Sequence, residues 1–228
     1  MPAIRLASYN VHRAIGRDRK CVPQRILEVL RELDADVLAL QEVEANDSGD
    51  DMLEWMARSM GVRAIAGTTL KRHDGYFGNG LLTRLPVTAI ERVDLSYGRR
   101  EPRGAIAARL EVQGLSLRVV ATHLGLRPAE RREQVEKLIQ LFTWREDDRA
   151  VLMGDVNEWF LWGRPLRRLH CHFDATRAVA TFPSRMPLLP LDRIWAHPGS
   201  MLRSLAVHDS ALARIASDHL PLVATLEM

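Results

Sequence analysis

Short apolar runs of strand length recur along the whole chain, and many of them end on a carboxylate, an amide or an imidazole. The runs are Ile4 to Val11, Asp36 to Gln41, Gly80 to Thr83, Val87 to Leu95 and Gly104 to Val112, followed by Leu115 to Thr122, Val151 to Gly154, Leu191 to Ala196 and Leu220 to Leu226. Several are mixed or continuously apolar, as expected for sheets covered on at least one face. Helical spacing appears at Pro23 to Leu33, where Ile26, Leu27, Leu30 and Leu33 form one stripe behind a proline start, and again at Met52 to Met60 and Pro128 to Trp144. Strands follow one another both through short turns such as Gln113-Gly114 and across helices, which predicts mixed sheets packed with helices. No repeat or long linker divides the chain, and the proline-rich loop from Thr181 to Pro190 reads as punctuation, so one domain over residues 1–228 is expected.

The polar residues at the strand ends carry the chemistry. Asn10 closes the first run, Glu42 the second, and His123 ends the run that begins at Leu115. Asp155 and Asn157 stand just beyond Val151 to Gly154, while Asp192, Asp218 and His219 adjoin the last two runs. A carboxylate at the edge of a buried strand costs several kcal/mol unless it is paired or bound to a cation. Convergence on one cation accounts for all of them together. Oxygen donors without clustered cysteine favour a hard ion, Mg²⁺ or Mn²⁺, over zinc.

Composition narrows the setting. At 228 residues and 46% hydrophobic, the chain is long enough for a substantial α/β core. Lys+Arg total 32 against 29 Asp+Glu, a balance that permits a phosphate-bearing partner without announcing a nucleic-acid groove. Lys20, Lys71 and Lys137 are the only lysines, so the cations are mostly guanidiniums, a bias that genome composition also produces. Two cysteines, Cys21 and Cys171, make no disulfide framework, the amino terminus lacks a signal-peptide pattern, and no apolar run spans a bilayer; a cytoplasmic monomer is the default expectation.

The ordered set of motifs resembles the endonuclease/exonuclease/phosphatase superfamily. It comprises Asn10, Gln41-Glu42-Val43, Gly78 to Arg84 around Asn79, Thr122-His123-Leu124-Gly125, Gly154-Asp155-Val156-Asn157, Leu191-Asp192-Arg193-Ile194 and Ser217-Asp218-His219. Each motif alone is weak; their order from first strand to last is the signal. Thr181 to Ile194 further resembles a compact bacterial subfamily with short loops. The resemblance implies a four-layered α/β sandwich, two mixed β-sheets packed face to face and flanked by helices, with the site at the strand edges. It implies Glu42 as chief metal ligand with Asn10 and Asp218 in support, Asp155 orienting or deprotonating the attacking water, and Asn157 holding a phosphate oxygen. His219 would face the scissile phosphate, fixed by Asp192, and His123 would protonate the leaving oxygen or stabilise developing charge. Asn79 and Arg103 match positions of substrate contacts, although a structural hydrogen bond or a surface ion pair suits them as well.

His12, two residues past Asn10, shares its face if the chain stays extended, and lines the pocket or stands in a loop without a fixed role. His170, Cys171 and His172 are too close in sequence to converge on one zinc ion. The aromatic stretch Trp159 to Trp162 is read as packing its rings on the core, with a platform for bases or lipid headgroups as the alternative.

The implied activity is metal-dependent hydrolysis of a phosphodiester, with nucleic acid and a small or lipid phosphodiester both open as substrates. A phosphomonoesterase, and a phosphate-binding module without turnover, are the competing readings.

Overall fold

The two-sided apolar runs behave as expected because each central strand is covered on both faces. The computed structural model of the chain describes residues 3–46, 51–72, 75–142 and 148–228. Its elements are β1 (Ala3–Asn10), α1 (Pro23–Leu33), β2 (Val37–Asn46), α2 (Met52–Met60), β3 (Arg63–Arg72) and β4 (Gly75–Thr83), then β5 (Val87–Asp94), β6 (Gly104–Val112) and β7 (Leu115–His123). There follow α3 (Pro128–Ile139), β8 (Ala150–Asp155), α4 (Arg164–His172), β9 (Asp192–His197), β10 (Leu202–Val207), α5 (Ala213–Ala216) and β11 (Leu222–Glu227). Six strands form one sheet in the order β10-β11-β1-β2-β4-β3, and five form the other in the order β5-β6-β7-β8-β9.

Alternation within a strand divides the core into layers. Along β2, Val37 and Ala39 face the second sheet and meet Ile106, Ala108, Val119, Val151 and Ile194, whereas Leu38 and Leu40 face outward onto Ile26, Leu30 and Leu33 of α1 and Leu53 and Met56 of α2. On the far side Val120, Leu152 and Trp195 are covered by Val135 and Leu138 of α3 and by Leu166 and Leu169 of α4. The result is helix, sheet, sheet, helix, the expected sandwich. Each fully buried aliphatic side chain in these layers contributes about 1.5–3 kcal/mol.

Local chemistry sets several boundaries. The Asp51 carboxylate accepts from the amides of Leu53 and Glu54 and caps α2, and Gly61 ends that helix in a left-handed conformation. Gly154 lets β7 and β8 lie close: at φ +149°, a Cβ there would sit 1.9 Å from the Thr122 carbonyl oxygen.

Four elements escape the sequence reading, the single-turn helix α5 and three longer ones. β3 begins and ends on arginine, β10 is a half-buried edge strand, and α4 buries only Pro165, Leu166 and Leu169, so none carries a long apolar run. The third expected helix is shorter than its periodicity, closing at Ile139 with a turn through Phe142, while its projected end at Trp144 falls outside the described residues. Cys21 and Cys171 are both free and exposed. Among the described residues no helix is long and apolar enough to cross a membrane.

Candidate active site

Strand register assembles the site. In the five-stranded sheet β7 runs parallel to β8 with His123 beside Asp155, and β9 runs antiparallel with Asp192 beside Asp155, so three polar residues form one row across three strands. In the six-stranded sheet β1 and β2 run parallel with Asn10 beside Gln41, which brings their carboxyl ends to the same rim. Glu42 follows at φ +58°, where the β2 ladder shifts register between Leu40 and Val43. A non-glycine residue in left-handed backbone at a bulge is held against its preference, and such residues concentrate at functional sites. Asn157, at φ +51°, is a second case.

One oxygen is the hub. Oδ2 of Asp155 accepts from Asn10 Nδ2 at 3.1 Å and lies 3.6 Å from His123 Nε2 and 3.8 Å from His219 Nε2. The other oxygen, Oδ1, accepts from the Asn157 backbone amide at 2.9 Å. The same Asn10 amide nitrogen donates to Glu42 Oε1 at 3.1 Å, joining the two sheets' contributions. Burial pushes the Asp155 carboxyl up, to about 7, against the lowering pull of the His219 charge and of the Asn10 and Asn157 donors.

The two imidazoles are prepared differently. Burial disfavours charge on His219, but Asp192, bonded to its Nδ1 at 2.8 Å, together with Asp155 and Asp218, outweighs this and raises the ring to about 10. His219 is therefore an imidazolium at neutral pH. His123 is driven well below its ordinary value by burial first and then by the charges of Arg103 and His219. Arg103 Nη1 sits 3.2 Å from His123 Nδ1, so a group that only donates faces that ring nitrogen, just as a second donor, the Asn157 amide, faces Nε2. Asn157 Nδ2 lies 3.0 Å from that Nε2 and donates to the Leu124 carbonyl at 2.9 Å.

The structure thus brings together Asn10, Glu42, His123, Asp155, Asn157, Asp192, His219 and Arg103. Asp218 reaches the group through Ser217, whose Oγ lies 2.7 Å from the Asn10 carbonyl and 3.4 Å from Asp218 Oδ1. Asn79 is spent elsewhere: its Nδ2 donates to the Gly104 carbonyl at 2.9 Å, the structural alternative allowed for it. His12 does not continue the strand. It enters a 3-10 turn at φ +45°, its amide donating to Asn10 Oδ1 at 3.0 Å and its Nδ1 lying 3.7 Å from Asp218. His170 packs on Trp195 and His172 on Phe142 and Phe173, so the pair turn to different neighbours.

One expectation is overturned. Trp159, Phe160, Leu161 and Trp162 do not pack on the core but stand exposed, Trp162 by 71%. The cause is Glu158, buried in an ion pair with Arg131 at 3.1 Å, which anchors the loop and turns the next residues outward. Sequence reasoning also missed Thr181, whose buried hydroxyl donates to Asp192 Oδ2 at 2.6 Å. No local signal marks it; it sits in the loop read as punctuation.

Among the described residues one carboxylate and imidazole group converges tightly enough to hold an ion: Asp155, Asp192 and His219, with ligand atoms within 4.8 Å of one another. Asp192 Oδ2 is already committed to His219 and Thr181, so within that group a cation competes with the imidazolium proton. Glu42 and Asp218, both half-buried, are the more open carboxylates, and an oxygen-rich set of this kind fits a hard divalent cation.

Two packed mixed sheets carrying paired imidazoles, an Asp-His couple and a rim of carboxylates define a hydrolase-type centre at strand edges. The chain matches the endonuclease/exonuclease/phosphatase family over residues 7–219, and it belongs to that family, whose members act on phosphoesters and typically bind a divalent metal. It is 28% identical to the uncharacterized protein YbhP of Escherichia coli (strain K12) over 246 aligned residues, covering 99% of this chain and 97% of that one. An endonuclease/exonuclease/phosphatase from Beutenbergia cavernae superposes with TM-score 0.82 at 23% identity, over 100% of this chain and 72% of that chain. The human Nocturnin catalytic domain, with a bound sulfate anion, superposes with TM-score 0.75 at 20% identity, over 99% and 94%.

Proposed function

We propose that the chain is a divalent-metal-dependent phosphodiesterase whose 228 residues act as one catalytic domain. The observation that carries this reading is the Asp155 Oδ2 hub, where a carboxylate raised to about 7 lies within 4 Å of both a charged and a neutral imidazole. Asn10, Glu42 and Asp218 would hold Mg²⁺ or Mn²⁺, which when bound supplies positive charge to the anionic phosphate.

The remaining residues divide the work. Asp155, titrating near neutrality, accepts a proton from the water that attacks phosphorus. The His219 imidazolium, held by Asp192, which Thr181 in turn steadies, faces the phosphate and offsets charge on its equatorial oxygens. The bond from phosphorus to the leaving oxygen breaks, and neutral His123 stabilises the charge that develops on that oxygen, which takes its proton from solvent. Asn157, anchored through Nδ2 to the Leu124 carbonyl and beside His123 Nε2, would contact a phosphate oxygen. Burial, and the charge of Arg103 behind the ring, keep His123 neutral.

Hydrolysis of bis-p-nitrophenyl phosphate with Mn²⁺ or Mg²⁺ tests the reading. Turnover should vanish with chelator and fall by roughly a thousandfold in Glu42→Ala. Metal uptake with no turnover would instead fit a binding module, and preference for p-nitrophenyl phosphate a monoesterase.

A further inference from the structure

Exposed large apolar side chains are distributed unevenly over this molecule. Leu126, 66% exposed, lies just past β7, and Trp159, Phe160, Leu161 and Trp162 lie just past β8. Met186 and Leu188, the latter 64% exposed, lie in the loop before β9, and Ile215 lies just before Asp218. These are all of the exposed large hydrophobics among the described residues. Register puts β7 and β8 parallel and β9 antiparallel to them, so these loops leave the same edge of the sheet as His123, Asp155 and Asp192. An apolar surface gathered on one functional edge marks a docking face.

The chemistry of the partner follows from what accompanies the apolar residues. Leu126 and the ring pair Trp159 and Phe160 line a groove of about 350 Å³ with Arg127, Pro128 and Arg131. Arg127, Arg164 and Arg185 are exposed in the same loops or directly beside them, while Glu158, the acid of the aromatic loop, is buried against Arg131. Apolar tips with a basic collar complement a bilayer surface that carries anionic headgroups. A nucleic-acid platform is less well matched: Phe160 and Trp162 are tilted by 44° at 5.9 Å, and aliphatic side chains make up half of the apolar set. A second copy of the chain would oppose arginine to arginine across a two-fold axis.

We propose that this edge docks onto an anionic phospholipid bilayer and takes its phosphodiester substrate from the headgroup layer. The docking stands on the surface alone; its substrate half rests on the phosphodiesterase reading above.

The test is sedimentation of the full chain with vesicles of phosphatidylcholine and phosphatidylglycerol, and of phosphatidylcholine alone, in chelator. Uptake should favour the anionic vesicles and shift tryptophan emission to the blue. Trp159→Ala with Trp162→Ala should lower the partition coefficient by roughly tenfold or more. Arg127→Glu with Arg164→Glu should abolish the preference for anionic vesicles. Both variants should keep hydrolysis of soluble bis-p-nitrophenyl phosphate within about twofold of the parent. Absence of vesicle uptake, equal uptake by parent and variants, binding to oligothymidylate in place of vesicles, or a dimer dispersed by the tryptophan changes would each overturn the docking. Lost uptake with intact soluble turnover rejects docking alone; absent turnover with intact uptake rejects the phosphodiesterase reading alone.

Discussion

Replacing Arg131 by Met should be among the most damaging single changes in the chain. Arg131 donates through Nε and Nη2 to Glu158 Oε2 at 3.2 and 3.1 Å, and through Nη1 to the carbonyls of Leu126 at 2.7 Å and Gly125 at 3.3 Å. Both side chains are almost wholly buried, 4% and 3% exposed. The methionine leaves an unpaired carboxylate in that environment, which costs about 3–5 kcal/mol. For a chain of this length each kcal/mol shifts Tm by about 2–4 °C, so the fall should be roughly 6–20 °C. Replacing Glu158 by Met as well removes the stranded charge and should recover most of the loss. Calorimetry and urea titration of the two single variants and the double variant give the coupling energy directly. A drop in Tm below about 4 °C for Arg131→Met, or a double variant as unstable as the sum of the singles, would refute the argument.

Other consequences are equally open to measurement. His219 has a folded pKa of about 10 against an ordinary 6.5, so its charged form favours the folded state below pH 6.5 and that stability drains as pH rises towards 10. In metal-free protein the urea midpoint should therefore fall between pH 7 and 10; Asp192→Asn should flatten that dependence and cut diester turnover, and a pH profile identical to the parent's would remove Asp192 from the couple. Gly154→Ala should destabilise by about 3 kcal/mol or yield insoluble protein, because the new Cβ meets the Thr122 carbonyl; a soluble variant with parental Tm would contradict the strand spacing. If residues 1–228 are one domain, heat should unfold them in one transition with equal calorimetric and van't Hoff enthalpies; two resolved transitions would divide them.

Residue order alone makes legible the strands that are buried on both sides and the residues that bound them. Leu38 and Leu40 alternate with Val37 and Ala39 without a polar interruption, which only a strand covered on two faces tolerates; Asn10, His123 and Asp155 stop such runs where the chain leaves the sheet, and Asp192 opens one where it re-enters. β3, β10 and α4 were not legible because their burial is one-sided or sparse and is supplied by neighbours distant in sequence. Tertiary structure alone decided the protonation of the two imidazoles, since His123 and His219 differ through Arg103 and Asp192, which strand pairing and the return of the last strand bring to them. It also decided that Thr181 supports Asp192, and that the aromatic loop faces outward, because a buried Glu158 must find Arg131, 27 residues earlier. Periodicity records which side of an element avoids water; partners across sheets are chosen by register and packing, and a single local stretch does not encode them.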